Sequence, residues 1–360
     1  MKAAVLETSY RVVVTDVETP EVEAGQALVR VKACGVASTD LKVFEGANPW
    51  ALTAVDARRT NVPNIILGHE LSGVVEQVAD GSPDDLVGSR VGVIPFHPCE
   101  KCDLCRQGKS HLCRSMTYLG HNTGWAKRKY YPGGMAELCP VWLDACQRLP
   151  ESVSFEDATF LDSLATAVHA VNLTGLGKGS VVLVIGCGPV GLCVGQLAGN
   201  RGAEQVFVSD TYPLALEAAS EVSRVRCIRA DTEGVTQVVR SATGNRGVDF
   251  VFDSVGIPET QRQARAVLAP GGSIVSLAQT DHEFSLTLRN LGAERSLTTS
   301  MNYLPEDFRS AIEALADGTV KVNPYITQRM GLSMFPRVIE RLRVRKRHNA
   351  LKAVIFPEQD

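Results

Sequence analysis

The chain has 360 residues, 44% of them hydrophobic and 21% charged, with a net charge of -3 and ten cysteines. This balance provides neither a basic surface for nucleic acid nor an acidic tail, so a small, roughly neutral partner is expected. A chain this long divides into about two domains, each large enough to bury its own core.

At the N-terminus, MKAAVLETSY has one lysine and an apolar stretch interrupted by Glu7, which lacks the apolar core of a signal peptide; a cytoplasmic chain is expected. Up to about Pro150 the segments ALVRVKA, LSGVVEQV and SRVGVIPF are apolar runs of strand length, separated by Gly, Pro and Asp. They predict a β-rich domain, a small barrel or sandwich. Between them, EGANPWALTAVDARRTNVPN has few periodic apolar positions and is expected to be a long surface excursion.

From Ser152 the pattern turns helical. SFEDATFLDSLATAVHAVNL places apolar residues at three and four spacing behind a serine and acids. Strands and helices then alternate: VVLVIG, PVGLCVGQLAGNRG, VFVSD, PLALEAASEV, VDFVFDSVG, TQRQARAVLA and GSIVSLA. This repeat predicts an α/β domain, a parallel sheet with helices on both faces. Val181 to Ala198 carries no charge, but four glycines and Pro189 in it favour a buried strand, turn and helix over a membrane span. After Leu297 come a helix, EDFRSAIEALADG, and a final strand, ALKAVIFP.

Gly186, Gly188 and Gly191 form G-C-G-P-V-G between an apolar strand and a helix, and Asp210 ends the next strand nineteen residues after Gly191. Together these make a dinucleotide fingerprint. The glycines, with Pro189 and Val190, let the backbone approach a pyrophosphate at the helix N-terminus. Asp210 is expected to accept from the adenosine ribose hydroxyls and to repel a 2′-phosphate, which favours NAD(H) over NADP(H). Val255 and Gly256, at the end of VDFVFDSVG, complete the expected cofactor-binding set.

Cys99, Cys102, Cys105 and Cys113 fall within fifteen residues, a clustering that favours a metal over disulfides. Four thiolates can surround one Zn²⁺ with no open position, as in a structural site, and similar spacings also serve iron–sulfur clusters. With four thiolates at hand, His97 and His111 are expected to be surface residues. In TYLGHNTGWAKRKYYPGGMAE, His121, Asn122 and Trp125 are candidate contacts for a polyhydroxylated or charged substrate, and Lys127, Arg128 and Lys129 for a phosphate or carboxylate; an ordinary exposed loop with a solvated basic face is the other reading.

KACGVASTD, ILGHELSGVV, the four-cysteine lobe, GGMAE at 133–137, the GCGPVG turn with Asp210 and the terminal KAVIFP resemble the zinc-containing medium-chain dehydrogenases, especially the sorbitol and threonine dehydrogenase-like branch. The likeness covers essentially the whole chain. It implies a GroES-like catalytic domain over 1–154 and 297–360, with a structural zinc lobe at 97–114, and a Rossmann NAD-binding domain over 155–296. It further implies NAD(H) and a structural Zn²⁺ as cofactors, a small-molecule substrate, a homodimer or homotetramer, and a catalytic zinc that polarises the reacting oxygen during hydride transfer.

Position by position, His69 in Gly68-His69-Glu70 matches a metal ligand, and Glu70 an acid able to act as an alternative ligand. Ala37 stands where the family has its ligand cysteine, and Cys34, three residues earlier, reads as a buried bystander. Asp162 stands for the family's glutamate. Thr39 matches the proton-relay hydroxyl, next to Ser38, and Lys42 occupies the place of a relay histidine. Two readings follow: a weak zinc site of His69, Glu70, Asp162 and water, or no catalytic metal, with Thr39, Ser38, Lys42 or His69 polarising the oxygen. The expected function is NAD(H)-dependent interconversion of a secondary alcohol of sugar, cyclitol or polyol type with its ketone. The alternatives are a metal-independent NAD(H) enzyme, reducing a double bond or oxidising and re-reducing one substrate, and a non-catalytic NAD-binding protein.

Overall fold

The computed structural model describes residues 1–47, 63–82, 85–344 and 349–359. Most of the expected surface excursion, residues 48–62, lies outside this set. Two compact units divide the chain: Met1–Asp162 with Ile326–Asp360, and Ser163–Tyr325.

In the first unit the apolar runs form antiparallel strands. Gln26–Val36 is buried along nearly its whole length; only Arg30 and Lys32 are half-exposed, and they pair with Glu76 and Glu358. One edge of this strand pairs with Glu70–Val78. Its other edge is shared by Leu138–Trp142 and the C-terminal strand Lys352–Phe356, where Ile355 meets Cys34 and Val354 meets Gly35. The seven-stranded sheet is completed by Arg90–Val93 and Cys146–Arg148 at one end and by Ile326–Gly331, parallel to the C-terminal strand, at the other. A second sheet joins Arg11–Asp16, Lys2–Thr8 and Ile65–Ile66 around Ala3, Val5, Val17 and Ala136.

The second unit is a six-stranded, all-parallel sheet in the order Arg226–Arg229, Gln205–Asp210, Val181–Ile185, Val248–Asp253, Leu268–Ser276, Ser296–Thr299. This is the 3-2-1-4-5-6 order of a Rossmann sheet, with helices such as Pro189–Asn200 and Pro213–Val222 as crossovers. Leu183, Phe207, Ile228, Val239, Val251, Val267 and Ile274 form its core.

The expected return to the first domain at 297 is corrected to Ile326. Ser296–Thr299 continues the ladder as a sixth parallel strand. The following helix, Pro305–Ala316, carries the buried Asp307, which meets His169 at 2.7 Å and Asn172 at 2.8 Å on the Leu161–Asn172 helix. The open strand edge and this buried polar pairing keep 297–325 with the Rossmann unit. Among the described residues, no helix is long and apolar enough to cross a membrane.

Candidate active site and cofactor sites

In the first unit, the Gln26–Val36 strand ends in a bend that starts the short helix Ser38–Phe44. Asp40, 1% exposed, closes the bend: one oxygen accepts the Ala37 N–H at 2.8 Å, the other the Gly68 N–H at 3.1 Å. The two motifs are thereby tied together. His69 lies between them, with Nε2 3.3 Å from Thr39 Oγ1 and Nδ1 3.6 Å from Asp40 Oδ1. Burial alone would lower the imidazole's pKa, but the carboxylates of Asp40, Asp162 and Glu70 outweigh it and raise it to about 9.

Glu70 differs from the alternative-ligand role expected of it. Its carboxylate forms a fully buried ion pair with Lys352, whose ammonium lies 5.2 Å from the centre of the Phe160 ring. Gly35 makes room for this pair, because a Cβ there would fall 2.7 Å from Glu70 Oε2 and 2.8 Å from Lys352 Cε. The expected zinc site of His69, Glu70 and Asp162 does not form: among the described residues these three do not bring ligand atoms within 4.8 Å of one another. Cys34 is fully buried, its thiol pushed well up by burial first and then by Asp40 and Glu70. Among the described residues, the donors present therefore do not fit a catalytic zinc.

Thr39 is half-buried at His69, while Ser38 and Lys42 are exposed. His121, expected at an exposed substrate loop, is fully buried and accepts the Thr123 N–H at Nδ1, 3.1 Å. Trp125 donates to Tyr118 O and stacks on Trp142, which stacks in turn on His97. Two members of the basic run are occupied as well: Arg128 pairs with Glu23 and Lys129 with Glu18. Both positions are explained by packing and charge pairing within the unit. His97, expected at the surface, is half-buried in this stack with Asp144 at 3.5 Å.

The four-cysteine lobe fits a structural zinc. Its four sulfurs lie within 4.8 Å of one another, with Cys102 Sγ 3.5 Å from Cys105 Sγ and 4.0 Å from Cys113 Sγ. A tetrahedron with Zn–S bonds of 2.3 Å has edges of about 3.8 Å. The backbone N–H groups of Cys105 and Arg114 bring the Cys102 thiol down to about 6. Burial, and then the hydrogen bond with the Cys102 sulfur, push Cys105 up to about 12, and a cation among the sulfurs would favour its thiolate.

In the second unit, Gly186 turns the chain at φ +89° after Val181–Ile185, and a Cβ on Gly191 would lie 1.9 Å from Gly186 O. Gly188 caps the twelve-residue helix, with Pro189 and Val190 in its first turn, and has no heavy atom within 4 Å of a built Cβ. This is a tight turn with an open face at a helix N-terminus, as a pyrophosphate requires. Asp210 accepts the N–H groups of Cys187 at 2.7 Å and Tyr212 at 2.8 Å, which orients its carboxylate beside the turn. The residues present fit a dinucleotide. Two supporting residues lie too far along the chain to be read from the motif. Tyr325 OH donates to Cys187 O, and Asp253 accepts the N–H groups of Val255 and Gly256 at 2.9 and 3.0 Å.

Comparison with known proteins agrees with both units. The alcohol dehydrogenase GroES-like domain matches residues 23–151, and the zinc-binding dehydrogenase domain matches 189–317. The chain is 25% identical to the sorbitol dehydrogenase of Bacillus subtilis, covering 100% of this chain and 98% of that protein. It is 28% identical to the L-threonine 3-dehydrogenase of the same organism, covering 93% of each. Among solved structures, an alcohol dehydrogenase from Thermus sp. ATN1 superposes with a TM-score of 0.86 at 28% identity, over 99% of both chains. With both domain models matched in order across most of its length, the chain belongs to the zinc-type medium-chain dehydrogenase family.

Proposed function

We propose that the protein is an NAD(H)-dependent oxidoreductase that interconverts a secondary alcohol of sugar, cyclitol or polyol type with its ketone. The observation that carries this reading is Asp210, held by two backbone N–H groups at the end of the strand that follows the glycine turn. A fixed carboxylate there accepts from a ribose diol and repels a 2′-phosphate. The sorbitol and threonine dehydrogenase relatives support the substrate class, since their names describe a polyol and a β-hydroxy amino acid.

NAD(H), when bound, exchanges a hydride with the reacting carbon. The chain's own part is to bind the dinucleotide at Gly186–Gly191 and Asp210, with Val255 and Gly256 as further contacts, and to handle the alcohol proton at Thr39 and His69. The ten free cysteines support a reducing, cytoplasmic location. Among the described residues, Ser296–Thr299 has no strand on its outer edge, which supports self-association as a dimer or tetramer.

The test is NADH formation at 340 nm across a panel of polyols, cyclitols and β-hydroxy acids, run with NAD⁺ and NADP⁺ in parallel. Turnover of at least one secondary alcohol is expected, with kcat/KM at least about tenfold higher for NAD⁺, and Asp210→Ser should narrow that ratio. Tight NADH binding without turnover of any alcohol or ketone would count against the reading.

A further inference from the structure

Among the described residues, the donors near His69 other than Asp162 are committed elsewhere. The position of the family's ligand cysteine is Ala37, whose methyl binds nothing. Cys34 cannot take its place: its Sγ is wedged where a Cβ on Gly68 or Gly134 would lie 2.6 or 2.9 Å away, and the thiol faces Gly35 O at 3.7 Å. The Glu70 carboxylate is paired with Lys352 in the sheet interior, and both Asp40 oxygens accept backbone N–H groups. Among the described residues this leaves His69 and Asp162, one donor short of the three protein ligands of a catalytic zinc.

The same residues form a different device. Asp40 Oδ1, the two ring nitrogens of His69 and Thr39 Oγ1 make a carboxylate–imidazole–hydroxyl series, with separations of 3.6 and 3.3 Å. We propose that the Thr39–His69 pair, with Asp40 as its fixed counter-charge, polarises and protonates the reacting oxygen in place of a metal ion, so that this member of a zinc-type family works with its structural zinc alone. The proposal rests on the alcohol–ketone reading above.

In ketone reduction the carbonyl carbon gains the hydride and its electron pair from the reduced cofactor, which leaves as NAD⁺. The carbonyl π pair moves to oxygen, which takes the Thr39 hydroxyl proton. Thr39 takes the Nε2 proton of the His69 imidazolium, and the neutral imidazole regains a proton from solvent. Alcohol oxidation runs the same steps backward, with the released proton ending on His69. Asp40, 3.6 Å from Nδ1, stabilises the imidazolium through its charge, as a buried carboxylate does in other hydroxyl–imidazole–carboxylate series.

The experiment measures zinc on the purified full chain by mass spectrometry, before and after incubation with excess Zn²⁺ and desalting, for the parent, His69→Gln and Thr39→Val. The proposal expects about one zinc per chain in all three proteins. About two in the parent, falling to about one in His69→Gln, would overturn it. On any substrate found to turn over, both variants should lose about 10²- to 10⁴-fold in kcat, and 1,10-phenanthroline should leave the parent rate unchanged. Prompt inhibition by the chelator while the lobe keeps its zinc would also overturn it. If His69→Gln does not fold, Thr39→Val with the parent zinc count still decides the matter. The zinc counts need no substrate, so a failed alcohol–ketone reading, with no turnover and one zinc, is distinct from a failed metal-free centre, with two.

Discussion

Lys352 sets the charge balance beneath the candidate active site. With Glu70 it forms an ion pair in which both side chains are almost completely buried. Removing one member of such a pair is costly because the other charge keeps its desolvation penalty without its partner. Lys352→Met is therefore expected to lower stability by about 3–5 kcal/mol in urea denaturation, and adding Glu70→Gln should restore much of the loss. Gly35→Ala should act in the same direction, since its methyl would enter the space that the pair occupies. His121 offers a pH-dependent test. Burial, and to a lesser degree His69, lower its pKa from 6.5 to about 3, and its Nδ1 accepts the Thr123 N–H. The unfolded chain therefore takes up a proton near pH 6.5 that the folded chain refuses until about 3. Stability is full above 6.5 and falls as the pH drops toward 3, by up to about 1.4 kcal/mol per pH unit. His121→Gln removes this contribution, so the gap in urea midpoint between parent and variant should narrow from pH 7 to pH 4.

At the scale of elements, the turn before the Pro189–Asn200 helix is the most constrained piece of backbone, because Gly191 lies against Gly186 O. Gly191→Ala should weaken NADH binding at least about tenfold in a fluorescence titration while far-ultraviolet circular dichroism stays at the parent level. The turn and the four-cysteine lobe could be read from the sequence because each is complete within a few residues and its spacing is dictated by its ligand. The parallel sheet was legible for a similar reason, through short-range apolar periods. The reaction centre was only half legible. Thr39 and His69 belong to recognisable motifs, but Glu70's partner lies 282 positions away, and no local pattern announces it. The exposure of Lys42 and the burial of His121 were not legible, because a sequence gives spacing along a helix or loop without saying which face is buried. The boundary at 297 failed where a strand with little apolar character, Ser296–Thr299, proved to be the sixth of the sheet.

For the whole molecule, the lobe's metal is the cofactor whose removal reads out most directly on the fold. His97, Trp142 and Trp125 stack beside it, with ring centres 5.1 and 5.2 Å apart. Extracting the metal with a mercurial should release about one zinc per chain, shift tryptophan emission and lower the melting temperature, and readdition of Zn²⁺ after thiol treatment should reverse the emission change. The first unit is also discontinuous in sequence: its central strand takes its last neighbour from Lys352–Phe356, and that strand brings the ammonium facing Glu70. During synthesis, the ribosome releases residues 163–325 as one uninterrupted segment, free to collapse as soon as it emerges. The first 162 residues have by then been made for some time, yet their sheet still lacks a strand and their buried carboxylate still lacks its ammonium. The reaction centre is thus completed by a strand translated only after the whole second unit, and a ribosome that stalls between the two releases a chain able to hold a dinucleotide but with its catalytic half unfinished.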